Sequence, residues 1–208
     1  SQGEHGALLG NTPCVYLGGN HGPLCSFVEA DNERGAYEAA QYLHLLGHRD
    51  IVFLGGRESS RVLAQRLAGY RRSMTQNGLL CREITWRGEE SGLLDWCGEQ
   101  AEALFRAKRP PDAILAYSDM VTVRVLDAAE SLGLRAPEDF SIVGFDNLAF
   151  GSLPQVSLTT VSQRKFKAGQ LAVDRLLEKI NGADGRTADI LQPELIIRST
   201  CRKKEDKE

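Results

Sequence analysis

Short apolar runs alternate along this chain with longer segments whose apolar residues recur every three or four positions, and turn residues separate the two. That alternation predicts strands and helices in turn, an α/β chain with a parallel sheet flanked by helices on both faces. Strands are predicted over 13–17, 26–30, 50–54, 81–86, 112–117, 140–145 and 190–197, and helices over 33–46, 60–76, 93–106, 120–132 and 163–180. Gly47, Asn77-Gly78, Gly133 and Asn181-Gly182 supply helix stops, and Asp31 or Asn32 supplies a cap for the first helix. The segment Ser141-Ile142-Val143-Gly144-Phe145 ends in Asp146, and a Pro-containing loop leads on to Leu158–Gln163. Ligands of open α/β sheets bind outside the carboxyl ends of strands, which makes Asp146 a binding candidate. Its competing role is bonding to the loop that follows.

With 208 residues, 42% hydrophobic and 25% charged, the chain suits one large or two small domains. Its apolar runs fall far short of the roughly 20 residues that span a bilayer. The first residues lack the basic and apolar regions of an export signal, so a cytoplasmic location and no membrane partner are expected. A net charge of -3 offers no broad attraction to nucleic acid. Five cysteines without a C-x-x-C read as small buried hydrophobes in a reducing compartment. Gly47 interrupts the pair His44 and His48, so no metal is expected, and no cofactor. Gly55-Gly56 is neither a dinucleotide fingerprint nor a phosphate loop, and no nucleophile–base placement is visible, so no catalytic residue is assigned.

Several motifs then line up in order: Asp31-Asn32 with Gly35; Leu46-Gly47-His48-Arg49 with Ile51; Arg66-Leu67-Ala68-Gly69-Tyr70; Pro111–Ile114 with Ser118-Asp119; Gly133 through Asp146; Leu158–Val161; and Leu195–Ser199. Together these resemble the lactose/galactose repressor family of bacterial transcription regulators, across residues 12 to 200. The resemblance implies a two-lobed fold like the type I periplasmic sugar-binding proteins. It also implies a small-molecule effector between the lobes, a homodimer, and operator DNA read by a separate N-terminal helix-turn-helix. The chain starts where the family's first lobe is nearly complete. The expected organisation is therefore a disordered or truncated start over 1–12, a first-lobe remnant and crossover over 13–24, and the C-terminal lobe over 25–160. A helix returning to the first lobe follows over 161–182, then a final strand in the C-terminal lobe over 183–200 and a disordered tail over 201–208. Two other functions compete, a solute-binding protein of a sugar transport system and an α/β enzyme.

The resemblance also implies site residues. Arg66 would clamp effector oxygens with its planar fork, against the plainer role of a surface arginine whose stem covers core. Ser118 and Asp119 either cap a helix or touch the effector, and the family often carries Asn in the place of Ser118. Arg87, Gln163 and Lys165 fall where the family places an aromatic lid, a hinge-side polar contact and a second aromatic. Arg124 replaces a small residue and reads as a salt-bridge partner or a cleft residue. If Arg66, Arg87, Lys165 and Arg124 all face the cleft, the effector is anionic, a sugar acid or a sugar phosphate. The helix over 120–132 is apolar on two faces, so it either lies fully buried or makes an interface. Together with Leu148 and Phe150 it matches the surface through which family members pair, and the resemblance implies a two-fold contact through Val121, Val123, Leu126, Leu148 and Phe150.

Overall fold

Strand Ile51–Arg57 divides the core: Ile51 and Phe53 enter one apolar cluster, Val52 and Leu54 another, and all four are buried. A period of two sends alternate side chains to opposite faces, so a strand apolar at every position is covered on both. The computed structural model describes residues 12–18 and 25–204. They fall into two units, one containing the described residues up to Asp31 with Gln163–Pro193, the other Asn32–Ser162 with the described residues from Glu194 on.

In the larger unit, helix α1 (Asn32–Leu45) precedes β3 (Ile51–Arg57), followed by α2 (Arg61–Gln76), β4 (Arg82–Trp86), α3 (Leu93–Phe105), β5 (Ala113–Ala116), α4 (Asp119–Ser131), β6 (Ser141–Phe145), β7 (Thr160–Ser162) and β9 (Glu194–Ile196). The sheet order is β4-β3-β5-β6-β7-β9, parallel except for the antiparallel β7/β9 pair. Helices α1 and α2 pack on one face through Ala36, Ala40, Leu43, Leu67, Tyr70 and Met74; α3 and α4 cover the other through Cys97, Ala101, Val121 and Val125. Each fully buried large apolar side chain contributes about 1.5–3 kcal/mol. The first pair approaches closely at Gly69, where a Cβ would stand 1.9 Å from the Glu33 carbonyl oxygen.

The smaller unit holds β1 (Tyr16–Leu17), β2 (Phe27–Ala30) and β8 (Ala188–Leu191) as a parallel sheet of order β1-β2-β8, together with helix α5 (Lys165–Ile180). Val28, Leu191 and Ala172 form its small core, with Val15, Ala168 and Leu171 against it. On the rest of this helix Phe166, Val173, Leu177 and Ile180 are exposed.

Several boundaries differ from the sequence reading. The strand expected over 190–197 is two strands in different sheets, because Pro193 between them has no N–H to donate to a ladder. Helix α5 starts at Lys165 because Arg164 adopts a left-handed backbone, φ 51°. Strand β2 pairs with β1 and β8, so residues 25–31 go with the smaller unit and not with a lobe spanning 25–160. Residues 201–204 are held in place and not a loose tail: the Lys204 amide donates to the Leu46 carbonyl at 2.7 Å, and its Nζ reaches Asp112 at 2.7 Å. Residues 1–11, 19–24 and 205–208, which include most of the expected loose start, the crossover and the end of the tail, lie outside the described residues.

Candidate functional site

Sheet order reverses beside β3: the chain leaves it for β4 on one side and resumes at β5 on the other. A crevice opens at the carboxyl ends of strands where such a reversal occurs. At that edge Gly55 and Gly56 take φ 104° and 82°, and a Cβ on Gly56 would lie 2.7 Å from Leu63 and from the Tyr117 ring. Only glycine accepts both the backbone and the crowding. Ser60 then caps α2, its hydroxyl accepting from the Leu63 amide at 3.3 Å.

Arg66 follows on α2 and is only 4% exposed. Its Nε donates to Asn32 Oδ1 at 3.1 Å, one Nη donates to the Tyr117 carbonyl, and the other reaches Asp146 Oδ1 at 3.5 Å. The guanidinium lies over the Phe145 ring at 3.6 Å and beside Tyr117 at 4.9 Å. Burial pulls its pKa downward, and the charge of Asp146 opposes that. Arginine starts so far above neutrality that the group stays charged. These bonds engage three of its five N–H donors. The side-chain exposures are 4% for Arg66 and 19% for Asp146, so Asp146 is the member of the pair that reaches solvent.

Asp146 and Asn147 both have positive φ, 120° and 49°. Such backbone costs about 1–3 kcal/mol per residue and persists only where its surroundings hold it. Asp119 does much of that holding: Oδ2 accepts from the Leu148 amide at 2.7 Å, and Oδ1 from the Thr160 hydroxyl at 2.6 Å. Gly144 is required beneath it, since a Cβ there would stand 2.3 Å from Asp119 Oδ1. Asp119 is fully buried, which corrects the expectation that it touches a ligand; it positions the turn that carries Asp146. Ser118 caps α4 by accepting from the Val121 amide at 3.3 Å, the plainer of its two readings.

Arg87 stands past the end of β4, 85% exposed, with Nε donating to Glu58 at 2.9 Å. That bond, with a second from Thr85, holds the Glu58 carboxyl below its usual range. Arg124 turns to Asp95 at 2.8 Å and Asp127 at 3.6 Å, as a salt-bridge residue would. The cationic lining expected for an anionic ligand is therefore matched by carboxylates at Arg66, Arg87 and Arg124. Gln163 and Lys165 belong to the smaller unit, with Lys165 exposed at the start of α5. Asn32 and the Tyr117 carbonyl join Arg66 without having been singled out in the sequence. Asn32 read as a helix cap, and a backbone carbonyl leaves no mark in a sequence.

Of the residues expected at a two-fold contact, Val121 is fully buried in the core, because with Val125 and Ala128 it lies on the inward stripe of α4. Val123 and Leu126 instead line a groove of 420 Å³ with Leu134, Ala136 and Val156. Leu148 and Phe150 are half-buried. Among the described residues, no group of three or more His, Cys, Asp or Glu could hold a metal ion, and no helix is long and apolar enough to cross a membrane.

A family model for a periplasmic binding protein-like domain matches residues 40–201. Curated relatives include the HTH-type transcriptional repressor PurR of Vibrio campbellii, 30% identical over 83% of this chain and 52% of its own length. The HTH-type transcriptional repressor CytR of Escherichia coli is 31% identical over 92% of this chain and 57% of its own length. The chain thus spans a little over half the length of these relatives. Among solved structures, a LacI transcriptional regulator from a Rhodococcus species aligns with a TM-score of 0.87 at 30% identity, over 98% of this chain and 75% of that one. A regulator from Enterococcus faecium with bound ribose aligns at 0.86 over 99% and 77%, and at 20% identity the likeness is one of fold.

Proposed function

The chain belongs to the LacI family of transcription regulators, and from that membership we propose that it is an effector-sensing region that binds a small neutral sugar or sugar derivative. The observation that carries this reading is the Arg66–Asp146 pair at the carboxyl edge of the sheet, with solvent access at the carboxylate. Sugar hydroxyls both donate and accept, so a carboxylate beside an arginine fork suits adjacent hydroxyls. The matching of Arg66, Arg87 and Arg124 by carboxylates favours a neutral ligand over an acid or a phosphate. The ribose held by the Enterococcus faecium regulator is a ligand of this class. Ser118, Arg87, Gln163 and Lys165 are proposed as further contacts, with the larger unit as the C-terminal lobe and the smaller unit as part of the first.

The effector acts by population shift, binding one arrangement of the lobes better than another. Moving such an equilibrium from 1:99 to 99:1 takes about 10⁴-fold preference, about 5.5 kcal/mol. Operator DNA would be read by a helix-turn-helix outside this chain, in the cytoplasm. A homodimer would form through the groove at Val123 and Leu126 and through Leu148 and Phe150. A thermal-shift panel of neutral pentoses and hexoses, sugar acids and sugar phosphates tests the ligand class, with stabilisation by a neutral sugar expected. Stabilisation by the acids alone would overturn it.

A further inference from the structure

Two cysteines of the smaller unit lie at equal distances ahead of a paired register. In the parallel pair β1/β2, Tyr16 stands opposite Phe27 and Leu17 opposite Val28. The Tyr16 amide donates to the Ser26 carbonyl at 2.9 Å and anchors this register at its start. Two residues upstream on each segment are Cys14 and Cys25. Side chains alternate with period two, so continuing the register sets the two cysteines opposite one another, on the face that Tyr16 and Phe27 share. Neighbouring strands lie about 4.8 Å apart, inside the span of about 4.4–6.8 Å between Cα atoms that a disulfide bridges. Both thiols are free and half-buried. The Tyr16 phenol shares this neighbourhood: burial, then the nearby Cys25 and Cys14 thiols, raise its pKa.

The other cysteines are differently placed. Cys97 is enclosed in the core of the larger unit, and burial pushes its thiol up to about 12. Cys201 is likewise raised to about 12 by burial, with its sulfur bonded to the Ile142 carbonyl. Such thiols yield little thiolate, the reactive form. Cys81 is exposed at the head of β4.

We propose that Cys14 and Cys25 form a reversible dithiol–disulfide pair, a modification site that ties β1 to β2. The oxidant is a small-molecule disulfide. One cysteine thiolate attacks it, forming a mixed disulfide and releasing one reduced thiol. The second cysteine, as thiolate, attacks the mixed disulfide at the first cysteine's sulfur and releases the other. Two protein thiols are oxidised, one small disulfide is reduced to two thiols, and the two protons pass to those leaving groups.

The test is oxidation of the whole chain with oxidised glutathione, followed by alkylation of the unfolded protein and peptide mapping by mass spectrometry. The mass should fall by two hydrogens, and alkylatable thiols from five to three, with Cys14 and Cys25 in one linked peptide. Dithiothreitol should restore all five, and Cys81→Ser should change nothing in the linkage. Cys14→Ser should trap glutathione on Cys25, and Cys25→Ser should trap it on Cys14, each read on protein whose circular dichroism matches the parent. Separate glutathione adducts on both cysteines of the parent protein, or a bond between any other pair, would overturn the proposal.

Discussion

Arg66 and Asp146, separated by 80 positions in the sequence, meet at 3.5 Å on the larger unit with the arginine buried and the aspartate reaching solvent. The arginine also satisfies Asn32 Oδ1 and the Tyr117 carbonyl. Arg66→Met would therefore leave three acceptors short of a donor. Losing one partner of a buried pair typically costs about 3–5 kcal/mol, and the exposure of Asp146 reduces this to about 2–4 kcal/mol. Urea unfolding monitored by circular dichroism should show that loss, and a variant within about 0.5 kcal/mol of the parent would mean that Arg66 is not a keystone of this edge.

Asp119→Ala should cost about 2–4 kcal/mol, because it strands the Leu148 amide and removes the Thr160 hydroxyl's acceptor. It should also weaken effector binding without any contact to the effector, since the positive-φ turn at Asp146 and Asn147 loses its support. Denaturant melts and ligand titrations on the same variant check both parts. Full affinity in a destabilised protein would separate Asp119 from the binding geometry.

Gly69→Ala tests the helix pair on one face of the sheet. Its methyl would lie 1.9 Å from the Glu33 carbonyl oxygen, which is backbone and cannot rotate aside. Overpacking of this kind costs about 1–3 kcal/mol, the upper end being expected here, read as a lowered urea midpoint.

His48 gives a pH dependence. Burial lowers its pKa from the ordinary 6.5, while its bond to the Arg202 carbonyl and the Asp112 charge pull the other way. The folded protein therefore binds the imidazole proton less readily than the unfolded chain. Its contribution is fully present above pH 6.5 and is lost as pH falls through the lower folded value. His48→Gln should flatten the stability profile as pH falls below about 6.5, where Asp112, whose pKa is also lowered despite burial by its bonds to Lys204 and to the Asp50 and Arg49 amides, is still ionised. An unchanged slope would assign that titration elsewhere.

Much of this architecture is legible in the sequence because strands such as Ile51–Leu54 are apolar at every position and helices such as α2 carry one apolar stripe. Asp146 and Arg66 are legible for a similar reason, one ending a buried strand and the other flanking a stripe. The role of Asp119 is not legible because sequence places it after a helix cap but says nothing of Thr160 or the Leu148 amide, both distant in the chain. Val121 was misassigned because α4 is apolar on two sides, and only packing reveals that Val121 faces the sheet and Val123 the groove. The break at Pro193 was in plain view, but the apolar residues on either side of it read as one strand.

Asp146, held by Arg66 at the carboxyl edge of the sheet, is proposed to bind hydroxyls of a neutral sugar. The direct measurement is calorimetric titration of the full-length regulator and its Asp146→Asn variant with neutral pentoses and hexoses, and with their acid and phosphate counterparts. Saturable heat from at least one neutral sugar is expected, with about 10- to 100-fold weaker binding in the variant, the worth of a hydrogen bond to a charged group. Binding of the acids or phosphates alone, or neutral-sugar binding that is equally tight in Asp146→Asn, would contradict it.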